Sequence, residues 1–166
     1  MKKFDVYGVC NPIVDLLSHV PESFLLKHKI QKNIMHLVTL EQQKKLLLEL
    51  DKEQISVEIA PGGSGANTMI GISQLGGLSS FSGKIGRDKH GKLYREKLQE
   101  LGVYDRLGEG DGATGSSLIL VSDDGARTMN TFLGMSQELI NHDIDPKVIQ
   151  SSKYLYLTGY LWDTES

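Results

Sequence analysis

The chain has 166 residues, the length of one ordinary domain and too few for two large ones. Lys plus Arg number 18 and Asp plus Glu 21, a net charge of −3, so no basic excess stands ready to neutralise a phosphate backbone and nucleic acid is not an expected partner. Apolar residues at 39% and charged residues at 23% suit a packed core, the single cysteine excludes an internal disulfide framework and a multi-Cys zinc site, and the longest aliphatic run, Leu46-Leu47-Leu48, is far short of a membrane span.

The opening residues carry no signal-peptide apolar stretch, because Asp5 and Asn11-Pro12 interrupt it, so a reducing cytoplasm is the expected location. Phe4 to Val9 reads as a strand, Asn11-Pro12 breaks it, and Ile13 to Val20 resumes an extended run. Ile34 to Val38 is a short apolar piece. Thr39 and Gln42 spell a capping box for a helix to about Glu53 with Leu46, Leu47 and Leu50 inward, and Ser56 to Ala60 alternates as a strand does. Pro61 to Gly65 is a loop, followed by a helix from about Ala66 to Gly76 or Gly77. Ser80 to Ile85 reads as a strand. Asp88 caps a helix with Tyr94, Leu98 and Leu101 on one face, and Gly102 stops it. Asp123-Asp124-Gly125 between Ser116–Ser122 and Ala126–Phe132 is a hairpin signal. Asp145-Pro146 opens a short helix, and Lys153 to Thr158 is the last strand. Helices alternating with strands predict a parallel α/β sheet, and the hairpin and early strands predict a small antiparallel subdomain. A last strand with no crossover helix after it reads as a doubly wound domain cut midway.

Glycine is the compositional outlier: 18 residues, about 11% against a usual ~7%, with nine of them from Gly62 to Gly91. A Walker A loop is absent, since Gly83-Lys84 is followed by Ile85, and the dinucleotide fingerprint fails at Thr68. What remains is Gly62-Gly63 opening a helix with Asn67 in its first turn. That arrangement suits the hydroxyls of a polyol as well as an anion, or serves as a structural turn. Asp15 stands in an apolar run, Ile13-Val14-Asp15-Leu16-Leu17, where a carboxylate needs a partner or solvent. No histidine spacing suggests a metal ligand set, so no protein metal site is expected.

The run Pro61-Gly62-Gly63-Ser64-Gly65-Ala66-Asn67, then Gly76 and Gly86, resembles the N-terminal signature of the PfkB-type carbohydrate kinases, the ribokinase-like family. Met69 departs from it, standing where that signature prefers Ser, Thr or Ala. Gly8 to Asp15 resembles the family's opening strand, Gly83 to Gly91 its G-x-x-x-x-D-x-x-G turn, and Thr114-Gly115 with Asp124 to Met129 its lid hairpin. Gly159-Tyr160-Leu161-Trp162-Asp163 is similar to a segment of bacterial adenosine kinase-like members. The resemblance covers nearly the whole chain. It implies the N-terminal portion of a ribokinase-like doubly wound parallel sheet with a small antiparallel β lid, the lid segments being about 13–20, 34–38, 55–60 and 114–133.

It also implies roles. Asp15 would accept hydrogen bonds from a ribose-type diol and share it with the bend at Gly62 and Gly63, with Asn67 beside them. Arg127 would reach transferring phosphate charge, or be a solvated strand arginine. His36, Met129, Thr131 and Ile13 would face the substrate, and Ile13, Val38, Met129, Leu133 and Tyr160 would clamp a base or simply pack a core. The implied reaction is transfer of the ATP γ-phosphoryl group, with Mg²⁺, to a primary alcohol. Adenosine or another nucleoside is the favoured acceptor; a free sugar (ribose, fructose or 2-keto-3-deoxygluconate) and a non-catalytic fragment are the alternatives. The family's Gly-Ala-Gly-Asp motif is absent, Gly110-Asp111-Gly112-Ala113 being a scrambled near match, so the base and most ATP and Mg²⁺ contacts are expected outside these residues. The 166 residues alone are then expected to be inactive, as a monomer or a lid-mediated homodimer, with no membrane partner.

Overall fold

The computed structural model describes residues 3–162. Strands β1 (Phe4–Val9) and β2 (Ile13–His19) are separated by Asn11-Pro12, whose proline has no N–H to give a ladder. Helix α1 (Glu22–Lys27) follows Pro21 with no side-chain cap and is absent from the sequence expectation. After β3 (Met35–Leu37), helix α2 (Leu40–Lys52) starts at the expected capping box: Gln42 N–H donates to Thr39 Oγ1 at 3.2 Å and Thr39 N–H to Gln42 Oε1 at 2.8 Å. Strand β4 (Glu58–Gly62) leads into α3 (Ser64–Gln74), two residues earlier than expected because Gly63 takes the N-cap position. The expected strand at 80–85 is two, β5 (Ser79–Ser82) and β6 (Lys84–Gly86), broken at Gly83. Then come α4 (Lys89–Glu100), β7 (Tyr104–Asp105), β8 (Gly108–Gly110), β9 (Ser116–Val121), β10 (Arg127–Phe132), α5 (Pro146–Gln150) and β11 (Ser152–Leu157). Single turns of 3₁₀ helix occupy Gly134–Glu138, Asn141–Asp143 and Gly159–Trp162. Asp163, the end of the 159–163 segment, lies outside the described residues.

The chain divides into two compact units. The first comprises Met1–Val14, Pro61–Gly115 and Gly134–Ser166. It holds a sheet in the order β11-β1-β5-β7, parallel at each pairing, and a parallel pair β6-β8. Phe4, Tyr7 and Val9 of β1 meet Val148 of α5, with Leu139, Ile144 and Ile149 packed around them. The inner strand β5 is built largely of serines, all buried, and each hydroxyl is spent on the fold. Ser79 donates to Met69 O at 2.8 Å, Ser80 to Tyr104 O and Ser82 to Arg106 O at 3.1 Å, and Ser82 also meets the Tyr7 hydroxyl at 2.6 Å. A polar strand is therefore buried without orphaned donors.

The second unit comprises Asp15–Ala60 and Ser116–Leu133. Its sheet runs β3-β10-β9-β2-β4. Antiparallel pairing is certain for the hairpin β9–β10, while β3 lies parallel to β10, so the sheet is mixed and not the antiparallel one expected. The physical reason is connectivity: only strands joined by a tight turn are obliged to run opposite ways, and β3 and β10 are far apart in sequence. Leu16, Val20, Phe24, Leu25, Leu50, Leu118, Ile119 and Leu120 are its buried apolar residues among those described. Gln43 of α2 is buried too. Its Nε2 donates to Ser116 O at 3.1 Å and Asn130 O at 3.0 Å, and its Oε1 accepts from Ser116 Oγ at 2.6 Å, which ties the helix to the hairpin.

Candidate functional site

In the first unit the double-glycine bend follows from steric limits. Gly63 has φ +90° and ψ 133°, a region closed to residues with a side chain, and a Cβ there would stand 3.1 Å from the Asn11 carbonyl and 3.7 Å from the Ile13 nitrogen. A Cβ on Gly65 would collide with the Cys10 side chain. The Gly62 carbonyl accepts from the buried Tyr94 hydroxyl at 3.0 Å, which pins the bend to α4. Ile13 and the bend are thus brought together, and Asn67 stands exposed in the first turn of α3, its N–H on Gly63 O at 3.1 Å. Burial pushes the Cys10 thiol up to about 11, against hydrogen bonding from Thr158, so it stays protonated at neutral pH and is no nucleophile. The departure at residue 69 has a packing answer: Met69 is fully buried, and its Sδ would lie 2.9 Å from a Cβ on Gly8, so the missing side chain of β1 makes room for the long one of α3.

The turn from Gly83 to Gly91 is structural. Asp88 caps α4 through Gly91 N–H at 2.8 Å and accepts from Thr114 N–H at 2.8 Å and Thr114 Oγ1 at 2.7 Å. Burial opposes its charge, yet these bonds together hold its carboxyl below the ordinary value. Asp111, in the scrambled Gly-Asp-Gly-Ala run, is exposed and ion-paired with Arg87.

In the second unit the hairpin register decides which side chains share a face. Arg127, Met129 and Thr131 of β10 pair with Val121, Ile119 and Ser117 of β9, while Met129 and Thr131 pair with Met35 and Leu37 of β3. Val14 N–H donates to Gly115 O and Val20 N–H to Val121 O, both at 2.9 Å, so β2 runs alongside β9 in the same direction, with Asp15 level with Ser117 and Leu17 with Ile119. One face therefore carries a polar row, Asp15, Ser117 and Thr131. The next row is apolar: Leu17, Ile119, Met129 and Met35. Asp15 is half-buried, and among the described residues no donor hydrogen-bonds its carboxylate. Burial raises its pKa, and the Arg127 charge offsets part of that rise. Arg127 itself is exposed.

The sequence-based grouping of His36 with Met129 and Thr131 is corrected by this register. His36 pairs with Asn130, which puts it on the opposite face, and its Nε2 lies 2.9 Å from the Gln31 carbonyl. The suggested base clamp is divided: Val38, Met129 and Leu133 belong to one unit, Ile13 and Tyr160 to the other. Three residues that shape the face or the bend carry weak sequence signals. Tyr94 reads only as a core position of its helix, Gln43 as a helix-surface residue, and Ser117 as one of two serines entering a strand. The hairpin turn would have paired Ser117 with Thr131. Among the described residues no group of three or more His, Cys, Asp or Glu side chains gathers that could hold a metal ion, so no residue here is assigned to Mg²⁺.

Comparison with known proteins agrees with this architecture. Residues 32–166 match the profile of the pfkB family carbohydrate kinase. The fold matches a probable sugar kinase from Rhizobium etli CFN 42 with TM-score 0.85 and 35% identity over 98% of this chain. It matches the adenosine kinase of Sinorhizobium meliloti with TM-score 0.83 and 34% identity over 97%. In sequence, probable fructokinase-7 of Arabidopsis thaliana is 32% identical over 102 residues, 58% of this chain and 29% of that protein. Adenosine kinase 1 of the same plant is 23% identical over 160 residues, 92% of this chain and 46% of that one. The chain spans 49% of each of the two bacterial structures.

Proposed function

Because the chain belongs to the pfkB family of carbohydrate kinases, we propose that it supplies acceptor recognition and the lid of an ATP-dependent phosphotransferase acting on a primary alcohol of a ribose-type substrate, with a nucleoside such as adenosine as the favoured acceptor. The observation that carries the reading is Asp15: a half-buried carboxylate, on a sheet face, with no donor from the described residues. Buried polar groups are normally satisfied by the protein, and one that is not suits a ligand donor. A carboxylate can accept from two vicinal hydroxyls at once.

ATP supplies the phosphoryl group. The chain's own residues bind and orient the alcohol. In the second unit Asp15 holds the diol; in the first, the backbone at Gly62 and Gly63 leaves room for close approach of a ligand and Asn67 offers an amide donor and acceptor. Arg127, on the Asp15 face, offsets part of the rise that burial gives the carboxyl and has the charge to meet a phosphate. The second unit holds most of the residues expected to form the lid, whose part in such a transfer is to exclude water. No residue is assigned as general base, since Asp111 is committed to Arg87. The 166 residues are accordingly expected to bind acceptor without turning over ATP.

The apolar row beside Asp15 supports the nucleoside. Met35 of that row is 46% exposed and Leu37, level with Thr131, is 62% exposed, an apolar surface that a bare pentose has no group to cover and a base does. The fructokinase relative supports the second reading, a free-sugar acceptor. Titration calorimetry of the chain with adenosine, ribose, fructose and 2-keto-3-deoxygluconate decides: adenosine is expected to bind most tightly, and tighter binding of fructose would move the assignment to the sugar.

A further inference from the structure

We infer that Ser117 is a positioning residue for acceptor specificity, holding the Thr131 hydroxyl so that it donates to a hydrogen-bond-accepting atom on the base of a nucleoside. The inference rests on the acceptor role proposed for Asp15. Ser117 is only 5% exposed, its Oγ lies 2.9 Å from Thr131 Oγ1, and among the described residues neither hydroxyl has another hydrogen-bond partner. A buried O–H left without an acceptor costs more than an unused lone pair. Ser117 therefore donates to Thr131, and the proton of the half-buried Thr131 is left to point away from the sheet. Without Ser117 that rotor is free, and the donor has no fixed direction.

The row gives the distance scale. Asp15, Ser117 and Thr131 stand on three adjacent strands, so the first and last are separated by two strand spacings, about 10 Å between backbones. A furanose held at Asp15 by its diol does not extend that far; a nucleoside does. In the adjoining row Leu17, Met129 and Met35, around a buried Ile119, offer an apolar surface to a flat ring. A donor at the border of that surface suits a ring nitrogen of a heteroaromatic base. Ser117 acts only through Thr131, so its effect is on the base and not on the sugar.

The test is titration calorimetry of the 166-residue chain with adenosine and ribose as probes. Ser117→Ala and Thr131→Val are each expected to weaken adenosine about three- to tenfold, the net worth of one neutral hydrogen bond, and to leave ribose unchanged. Thr131→Ser, which keeps the hydroxyl, is expected to bind adenosine like the wild type. Unchanged ribose affinity also reports that each variant remains folded. Equal weakening of both ligands, or unaltered adenosine affinity in both Ser117→Ala and Thr131→Val, overturns the inference and leaves the Asp15 role standing. A wild-type chain that binds adenosine no tighter than ribose overturns the nucleoside reading, and with it this inference; one that binds neither overturns the acceptor role as well.

Discussion

The Tyr94 hydroxyl donates to the Gly62 carbonyl at 3.0 Å, and both residues are buried. A helix thereby holds the carbonyl that closes strand β4, one residue before the backbone turns through positive φ at Gly63. Tyr94→Phe keeps the ring and its packing beside Phe81, whose centroid lies 6.4 Å away, and removes that donor. It is expected to destabilise the chain by about 1–3 kcal/mol, the cost of a buried unsatisfied group. Denaturant unfolding measures the loss, and an unchanged midpoint would mean the bend is held by other contacts.

Gly63→Ala tests the bend itself. The backbone conformation at φ +90° excludes a side chain, and the new methyl would crowd the Asn11 carbonyl at 3.1 Å. A loss of about 1–3 kcal/mol is expected from the strained conformation. Gly125→Ala has a similar φ of +81° but nothing within 4 Å of the added carbon, so it serves as the control with strain and no crowding. A larger loss at Gly63 than at Gly125 is expected, because the added carbon there also meets Asn11 and Ile13.

Gln43→Leu removes the donor to the Ser116 and Asn130 carbonyls and the acceptor of the Ser116 hydroxyl. The expected loss is about 2–3 kcal/mol, comparable with truncating a buried leucine such as Leu50. Thermal unfolding of both variants checks it. A polar helix residue then matters to the second unit as much as its apolar core does.

Local features were legible in the sequence and long-range ones were not. The Thr39–Gln42 capping box, the Asp88 and Asp145 caps and the Asp123-Asp124-Gly125 hairpin are each written within a few residues, and each forms as expected. Gln43 and Ser116 are 73 positions apart, and Tyr94 and Gly62 are 32 apart, so neither bond has a local signature. The misplaced His36 belongs to the same class. A strand's alternation shows which residues share a side, but only pairing with β10 tells which side faces Met129, and that pairing joins segments distant in sequence. Asp15 was visible because a carboxylate amid Ile13, Val14, Leu16 and Leu17 is anomalous at once. Its missing donors were visible only in three dimensions.

The raised pKa of Asp15 sets a pH signature. Burial shifts its carboxyl above the ordinary value of 3.8, with Arg127 opposing, so the folded chain holds this proton more tightly than the unfolded chain. Below that ordinary value the group is protonated in both states and costs nothing; as pH rises through the folded pKa, its charge destabilises the fold. Asp15→Asn is therefore expected to raise the thermal midpoint at pH 7 and to have no such effect near pH 3. A midpoint lowered at pH 7 would show that the carboxylate is satisfied within the protein, as a structural residue would be.

The most direct measurement pairs one substitution with one ligand change. Adenosine and 2′,3′-dideoxyadenosine differ only in the diol, and each is titrated into the wild-type chain and into Asp15→Asn. The wild type is expected to prefer adenosine by on the order of a hundredfold, the worth of hydrogen bonds to a charged acceptor, and Asp15→Asn to bind both ligands alike and weakly. An Asp15→Asn chain that keeps the full preference for adenosine would contradict the account, because the diol would then be recognised elsewhere.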